Sequence, residues 1–364
     1  MHQDAGQYDL SGVVPAIAPP VAVTEALAQR PEGSEDLQES LIRHRLAAEY
    51  RLSERNLVLI KDLDAALAGI AGQTSGPLVL FPPSATSVSL LTTTGLREVV
   101  QVVRGFGRNG TISVETASDL PHSGVAIVAS PCDPLGNVLT ANDAVRLARS
   151  CAWLVIDERY ADYAGQSLLN VASEFPNVIV LRSFQARLGP TGANPGWAVG
   201  SPRAHDFLQA ISAHLPPGVA QAVLAAGASK AASRMLLSLV RDERSRLFRS
   251  LRKLSYLQPL PSWAPFVAAR VEIGGRNLLV ELLAARGIRI HAPQEAGLES
   301  FLRIGIGPRS SMEHLRQTLL EVAPEMLGGQ LASSGCDAYR FTLSGKEFGQ
   351  PKLGQVEKRG HRSS

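Results

Sequence analysis

The chain is poor in cysteine, with Cys132, Cys151 and Cys336 the only three in 364 residues. They are too few and too scattered for a disulfide framework or a zinc site, and an odd count fits a reducing compartment, which we read as cytoplasm. Lysine is missing from a long stretch: none lies between Lys61 and Lys230, so nothing in that interval can supply a side-chain amine. Long apolar runs are also missing. The most helix-like apolar stretch, Val219 to Ala232, is alanine-rich and interrupted by Lys230, too short and too weak to span a bilayer. The start, Met1-His2-Gln3-Asp4, lacks a basic stretch followed by an apolar one, so no signal peptide is expected. Charge of one sign is scarce as well. The net charge is +3, and the segment 331–364 alone holds six Lys/Arg against three acids. The tail accounts for the excess and the body is neutral, which argues against nucleic-acid or membrane-surface binding. No internal repeat of solenoid period is visible.

What is present is enough apolar residue, 45% of 364, for two domains with buried cores. Residues 1–34 are rich in proline and read as an irregular arm with one short helix near Thr24–Gln29. Leu37, Leu41, Ile42 and Leu46 recur at helical spacing over Glu35–Tyr50. Then comes an alternation: strand Asn56–Ile60, helix Asp62–Gly72, strand Leu78–Phe81, helix Val88–Thr94, strand Val99–Val103. Farther on, Gly124–Ser130, Trp153–Asp157 and Val178–Leu181 read as buried strands, and Ala141–Cys151 as a helix opened by a capping run from Thr140. Short apolar strands separated by helices imply βαβ units and a mainly parallel sheet flanked by helices, an α/β large domain over 35–235. A long solvated helix, Lys230–Arg252, leads to a smaller α/β C-terminal domain over 236–330, with strands Phe266–Val271 and Ile288–His291 and helices Asn277–Arg286 and Ser311–Val322. The stretch 331–364, rich in Gly, Ser and Lys, reads as a flexible basic tail.

Three landmarks follow buried strands: Ser130-Pro131-Cys132-Asp133-Pro134-Leu135-Gly136, then Val155-Ile156-Asp157-Glu158-Arg159-Tyr160, then Arg182-Ser183-Phe184-Gln185-Ala186-Arg187-Leu188-Gly189 with Gly196-Trp197-Ala198-Val199-Gly200 beyond. Ligands of open α/β sheets sit past the carboxyl ends of strands, where all three lie. In this order the series resembles fold-type I pyridoxal-phosphate-dependent aminotransferases, nearest histidinol-phosphate aminotransferase and the threonine-phosphate decarboxylase of cobalamin synthesis. Their motifs are Asn-Pro-x-Asn-Pro-Thr-Gly, Asp-Glu-Ala-Tyr, Arg-Thr-Phe-Ser-Lys-Ala and Gly-Leu-Arg-x-Gly-Tyr. Gly287-Ile288-Arg289-Ile290 and Phe301-Leu302-Arg303-Ile304-Gly305-Ile306-Gly307 match the closing segments. The resemblance covers roughly residues 35–325.

The resemblance implies pyridoxal 5'-phosphate as cofactor, bound through a lysine whose amine condenses with its aldehyde. Ala186 stands at that position, and a methyl group can neither condense nor shuttle a proton. Arg187, one residue out of phase and permanently protonated, is no substitute. The phosphate cradle is altered too: Asp62-Leu63-Asp64 replaces Gly-Ser-Asp, and Asn194 replaces an arginine, so a carboxylate faces where a helix N-terminus should meet an anion. Asp133 replaces the asparagine that touches the ring hydroxyl. Other positions persist by resemblance: Asp157 as the acid that pairs with the ring nitrogen, Tyr160 near the ring hydroxyl, Ser183 on the phosphate, and Arg303 on the substrate carboxylate. The arm segment Ser11-Gly12-Val13-Val14-Pro15 lacks the family's asparagines, and His291, in place of an arginine, is assigned no role.

A transferase of the aminotransferase kind is therefore expected in fold. It would be a homodimer by resemblance and, if active, would act on a small amino compound, free or phosphorylated. The missing lysine and eroded cradle point equally to a non-catalytic scaffold or partner protein. A different reaction with Tyr160 or Asp133 as acid–base group lacks an evident nucleophile–base–orienter set. No metal site is expected.

Overall fold

Apolar segments without polar alternation must be covered on both faces, and the chain places them at the centre of its largest sheet. The computed structural model describes residues 8–15, 17–28, 35–93, 98–106, 112–113, 120–189 and 194–328. These lie in one compact unit, Met1–Gly329; the expected tail falls outside the described residues, as do parts of the arm.

In chain order the unit begins with β1 (Tyr8–Asp9), α1 (Val21–Ala28), α2 (Glu35–Tyr50), β2 (Leu57–Ile60), α3 (Leu63–Gln73), β3 (Leu78–Leu80), α4 (Ala85–Thr93) and β4 (Val99–Gln101). A small hairpin of β5 (Gly105–Phe106) and β6 (Ile112–Ser113) precedes β7 (Val125–Ala129), α5 (Ala141–Ser150), β8 (Trp153–Asp157), α6 (Ala161–Ala164), α7 (Leu169–Glu174) and β9 (Val178–Ser183). Then come the single turn α8 (Gln185–Leu188), β10 (Gly196–Gly200), α9 (His205–Ile211), α10 (Pro217–Ala228) and α11 (Lys230–Leu251). The chain closes with β11 (Leu257–Pro259), β12 (Phe266–Val271), α12 (Arg276–Ala284), β13 (Ile288–Arg289), β14 (Phe301–Gly305), α13 (Arg309–Glu321) and α14 (Ala323–Met326).

The seven-stranded sheet has the order β2-β10-β9-β8-β7-β3-β4. β10 pairs antiparallel with both β2 and β9, while the pairings from β9 to β4 are parallel. All five residues of β7 are buried. Their side chains alternate between two cores, Ala126 and Val128 on one face, Val125 and Ile127 on the other. Each such valine or isoleucine contributes about 1.5–3 kcal/mol when fully buried. A separate antiparallel sheet, β11-β12-β14, carries the C-terminal core. The fold class expected from the sequence is the one observed.

Several expected elements shift for local reasons. The first helix is Val21–Ala28 rather than Thr24–Gln29, because it starts directly after Pro19-Pro20, whose Pro20 carbonyl accepts from Val23 N at 2.8 Å. Asp62 is the N-cap of α3, its carboxylate accepting from Asp64 N and Ala65 N. β10 and α9 were not foreseen: glycines end the strand on both sides, and α9 has only seven residues. The apolar stretch Val219–Ala232 is two helices, not one, since α10 and α11 meet at 88°. Among the described residues no single helix is long and apolar enough to cross a membrane. The expected boundary at 235/236 falls inside the continuous helix α11. The strand expected at Ile288–His291 stops at Arg289; His291 instead makes an isolated bridge to Arg303.

The N-terminal arm is held on the C-terminal sheet. Tyr8 N donates to Gly287 O at 2.7 Å, Leu10 N to Arg289 O at 2.8 Å, and Gly305 N to Leu10 O at 2.8 Å. This approach needs a glycine in β14: a Cβ on Gly305 would stand 2.4 Å from Gly12 O and 3.0 Å from Leu10 O. We therefore expect Gly305→Ala to push the arm away and lower stability by about 1–3 kcal/mol, read from urea unfolding midpoints. An unchanged midpoint would mean the arm is not packed as described.

Candidate functional site

The loops past β7, β8 and β9 converge with the N-termini of α3 and α4, the place where doubly wound sheets hold ligands. Asp157 ends β8 and is wholly buried. A carboxylate there needs donors, and the chain supplies them. Thr86 Oγ1 donates to Asp157 at 2.8 Å, and Arg159 donates through Nε at 2.8 and 3.0 Å and through its main-chain N at 3.2 Å. Arg159 continues to Asp64 on α3, Nη2 to Oδ1 at 2.7 Å. Burial works against its charge, but Asp157, Tyr160 and Asp64 together hold its pKa well above the ordinary arginine value. The Tyr160 phenol is also pushed well up, by burial first and then by Asp133.

A second cluster lies at the start of α3. Asp62 Oδ1 accepts from Asp64 N at 3.0 Å and Ala65 N at 2.9 Å, and Oδ2 accepts from Asn194 N at 3.2 Å. Ser183 donates through Oγ to Asn194 Oδ1 at 2.6 Å and accepts from Gln185 N at 3.0 Å. The amides that would meet an external anion already surround an internal one.

Arg303, on β14, forms the third cluster. Its Nη1 pairs with Asp133 Oδ1 at 2.5 Å, its Nη2 donates to Ser11 O at 2.6 Å, and its guanidinium lies 5.3 Å from the centre of the Phe266 ring. Its Nε is buried without a hydrogen-bond partner. His291 exchanges main-chain hydrogen bonds with Arg303, and burial followed by the Arg303 charge lowers its pKa.

Ala186 is 2% exposed and packs into the C-terminal core with Tyr160, Tyr163 and Leu10. Arg187 departs elsewhere: its Nη2 donates to Glu49 and to the Tyr50 hydroxyl, both at 2.8 Å, and its Nε lies 3.7 Å from Asp162. Asp162 also pairs with the buried Arg182, which reaches Glu158 at 3.2 Å. Burial penalises the Asp162 charge, but Arg182 and Arg187 overcome it and hold its pKa below the usual carboxylate value.

The comparisons with known proteins agree with this architecture. The family model described as aminotransferase class I and II matches residues 111–319, more than half of the chain. The chain belongs to that family. The aminotransferase-family chain is 30% identical over 203 residues to histidinol-phosphate aminotransferase 2 of Archaeoglobus fulgidus, covering 54% of this chain and 58% of that protein. It is 27% identical over 297 residues to the histidinol-phosphate aminotransferase of Thermococcus gammatolerans, covering 79% and 81%. In fold it resembles histidinol-phosphate aminotransferase from Sinorhizobium meliloti in complex with pyridoxal-5'-phosphate, at TM-score 0.74 and 22% identity over 88% of this chain and 91% of that one. L-threonine-O-3-phosphate decarboxylase from Porphyromonas gingivalis superposes at TM-score 0.68 and 19% identity, over 86% and 98%.

The family's cofactor is pyridoxal phosphate, and the residues of this aminotransferase-family chain do not fit it. Beside Asp157 lies a cleft lined by Asp64, Thr86, Asp133, Arg159 and Tyr160. Asp62 takes the hydrogen bonds of an anion, Arg159 takes those of Asp157, and Ala186 offers no amine. Sequence reasoning brought Asp133, Asp157, Tyr160 and Ser183 to the carboxyl end of the sheet, where the structure also places them, and Arg303 reaches that end from β14 of the other sheet through Asp133. It assigned Asp157 and Arg303 to a ring nitrogen and a substrate; here both are engaged by Arg159 and Asp133 of the same chain. Arg159 and Thr86 were missed. The signal for Arg159 was available, since Asp157-Glu158-Arg159-Tyr160 carries arginine where the resembled motif carries alanine.

The depressed Asp162 carboxyl has a pH consequence. Its stabilising share is present above the unfolded carboxylate pKa near ~4 and is lost as pH falls through the lower folded value. Asp162→Asn should lower stability at neutral pH by about 3–5 kcal/mol, because Arg182 is left buried with one acid fewer. It should also remove part of the acid-side fall in Tm. A variant with an unchanged acid limb in a Tm-against-pH series would show that the pair does not stabilise the fold.

Proposed function

We propose that this chain is an aminotransferase-fold protein whose family cleft does not run cofactor chemistry, and that it acts as a scaffold or partner protein, as a homodimer in a reducing compartment. The observation that supports this best is Asp157: the acid that should meet a ring nitrogen is wholly buried and filled by Arg159 and Thr86. A ligand entering there has to break a charge-assisted bond in a buried site and leave Arg159 with Asp64 alone, a cost on the order of 1–3 kcal/mol before any new contact forms. Nor can any gain come from covalent attachment, because Ala186 lies at the lysine position and is sealed in an apolar core. If the cleft does act on amino groups, Arg303 and Tyr160 are the groups left to hold a small amino compound, free or phosphorylated. That requires Asp133 to release Arg303.

Protein incubated with pyridoxal phosphate and then freed of unbound ligand should show no visible aldimine band, and borohydride should fix no stoichiometric adduct at a single lysine. A stable absorbance band with a fixed adduct overturns the proposal. Ala186→Lys alone should not restore binding, since Arg159 and Asp62 still fill the cleft. The triple variant A186K/R159A/D62G should bind the cofactor at least about tenfold more tightly than A186K, a difference of about 1.4 kcal/mol. Equal affinities would mean that Arg159 and Asp62 are not what excludes it.

A further inference from the structure

A second cavity, about 450 Å³, shares no lining residue with the family cleft. It opens at the corner where α10 and α11 meet at 88°. Lys230, Arg234, Leu237 and Arg241 line it from one stripe of α11, at positions four, three and four apart. On the opposite wall Arg182 and Arg187 are already neutralised by Glu158, Asp162 and Glu49. The three α11 cations that line the cavity are not. Arg241 donates only to the main-chain oxygens of Tyr163 and Asp162, at 3.1 and 2.7 Å, and Arg234 Nε to Lys230 O at 3.3 Å. Lys230, Arg234 and Arg241 have no acidic partner among the described residues. Arg241 is held against α6 because position 165 is glycine: a Cβ on Gly165, whose φ is +72°, would stand 3.1 Å from the guanidinium. The positive end of the 22-residue α11 dipole adds to the same field, and its N-cap Ser229 makes no side-chain capping bond.

Three cations without an acidic partner among the described residues and a helix N-terminus around a cavity of small-molecule size match an anion of more than one charge, and guanidinium forks suit phosphate oxygens. We propose that this cleft is a binding site for a small phosphorylated metabolite carrying at least two negative charges. The site is separate from the family cleft, so it stands or falls independently of the function proposed above.

The test is calorimetric titration of the full chain with inorganic pyrophosphate at low ionic strength. Saturable binding is expected, weakened at least about tenfold in Lys230→Glu/Arg234→Glu. Both residues are exposed on α11, and acids near its N-terminus favour the helix, so folding should survive and can be checked by circular dichroism. Arg252→Glu/Lys253→Glu, beyond the other end of α11, makes the same change in net charge and should bind as the parent does. Absence of saturable binding, or equal weakening in both double variants, overturns the proposal.

Discussion

The Arg159 guanidinium, held between Asp157 and Asp64, is the contact on which the architecture of the cleft turns. Asp157 ends a central parallel strand and has no exposure to water. An ionised carboxylate in such a place is tolerated only with a full set of donors. Arg159 is two residues away in sequence, yet its fork reaches across to the first turn of α3 and so ties β8 to the helix beside β2. Thr86, from α4, completes the shell. Arg159 thereby joins β8 to α3, and Asp157 joins β8 to α4.

The same logic repeats at the other two clusters. Asp62 collects two amides of α3 and the Asn194 amide, the donors that a helix N-terminus offers to an anion. Asp133 collects Arg303. In each case a carboxylate of the chain occupies the hydrogen bonds that a bound anion could use, and the cost of exchange is the cost of unpairing a buried or half-buried charge. Charge outside the cleft is arranged differently. Around Arg182 and Arg187 the acids Glu158, Asp162 and Glu49 balance the guanidiniums, whereas Lys230, Arg234 and Arg241 on the face of α11 nearby have no salt-bridge partner among the described residues. A body that is neutral in sum can still hold a local excess of one sign.

Much of the sheet was legible because its signal is local. β7, β8 and β9 are short runs of aliphatic residues, and α2 and α5 show helical period or a capping residue within a few positions. Where the signal was weak the reading failed for an identifiable reason: β10 is bounded by Gly196 and Gly200, and the α10–α11 corner at Ser229 has no proline to mark it. The cleft was legible as a set of residue types. Asp157, Tyr160, Ser183, Asp133 and Arg303 were found by their order along the chain, but their partners were not.

Composition by itself decided what the cleft lacks: with no lysine from residue 62 to 229, no packing arrangement can put a side-chain amine from that stretch at Ala186. Strand and helix periods decided the α/β class, because burial on one or two faces is written into neighbouring residues. Which arginine meets which carboxylate was settled only in three dimensions. Arg159 and Asp64 are 95 positions apart and Arg303 and Asp133 are 170 apart. Their pairing depends on strand order and on the angle at which helices leave the sheet, quantities that no local run of residues encodes.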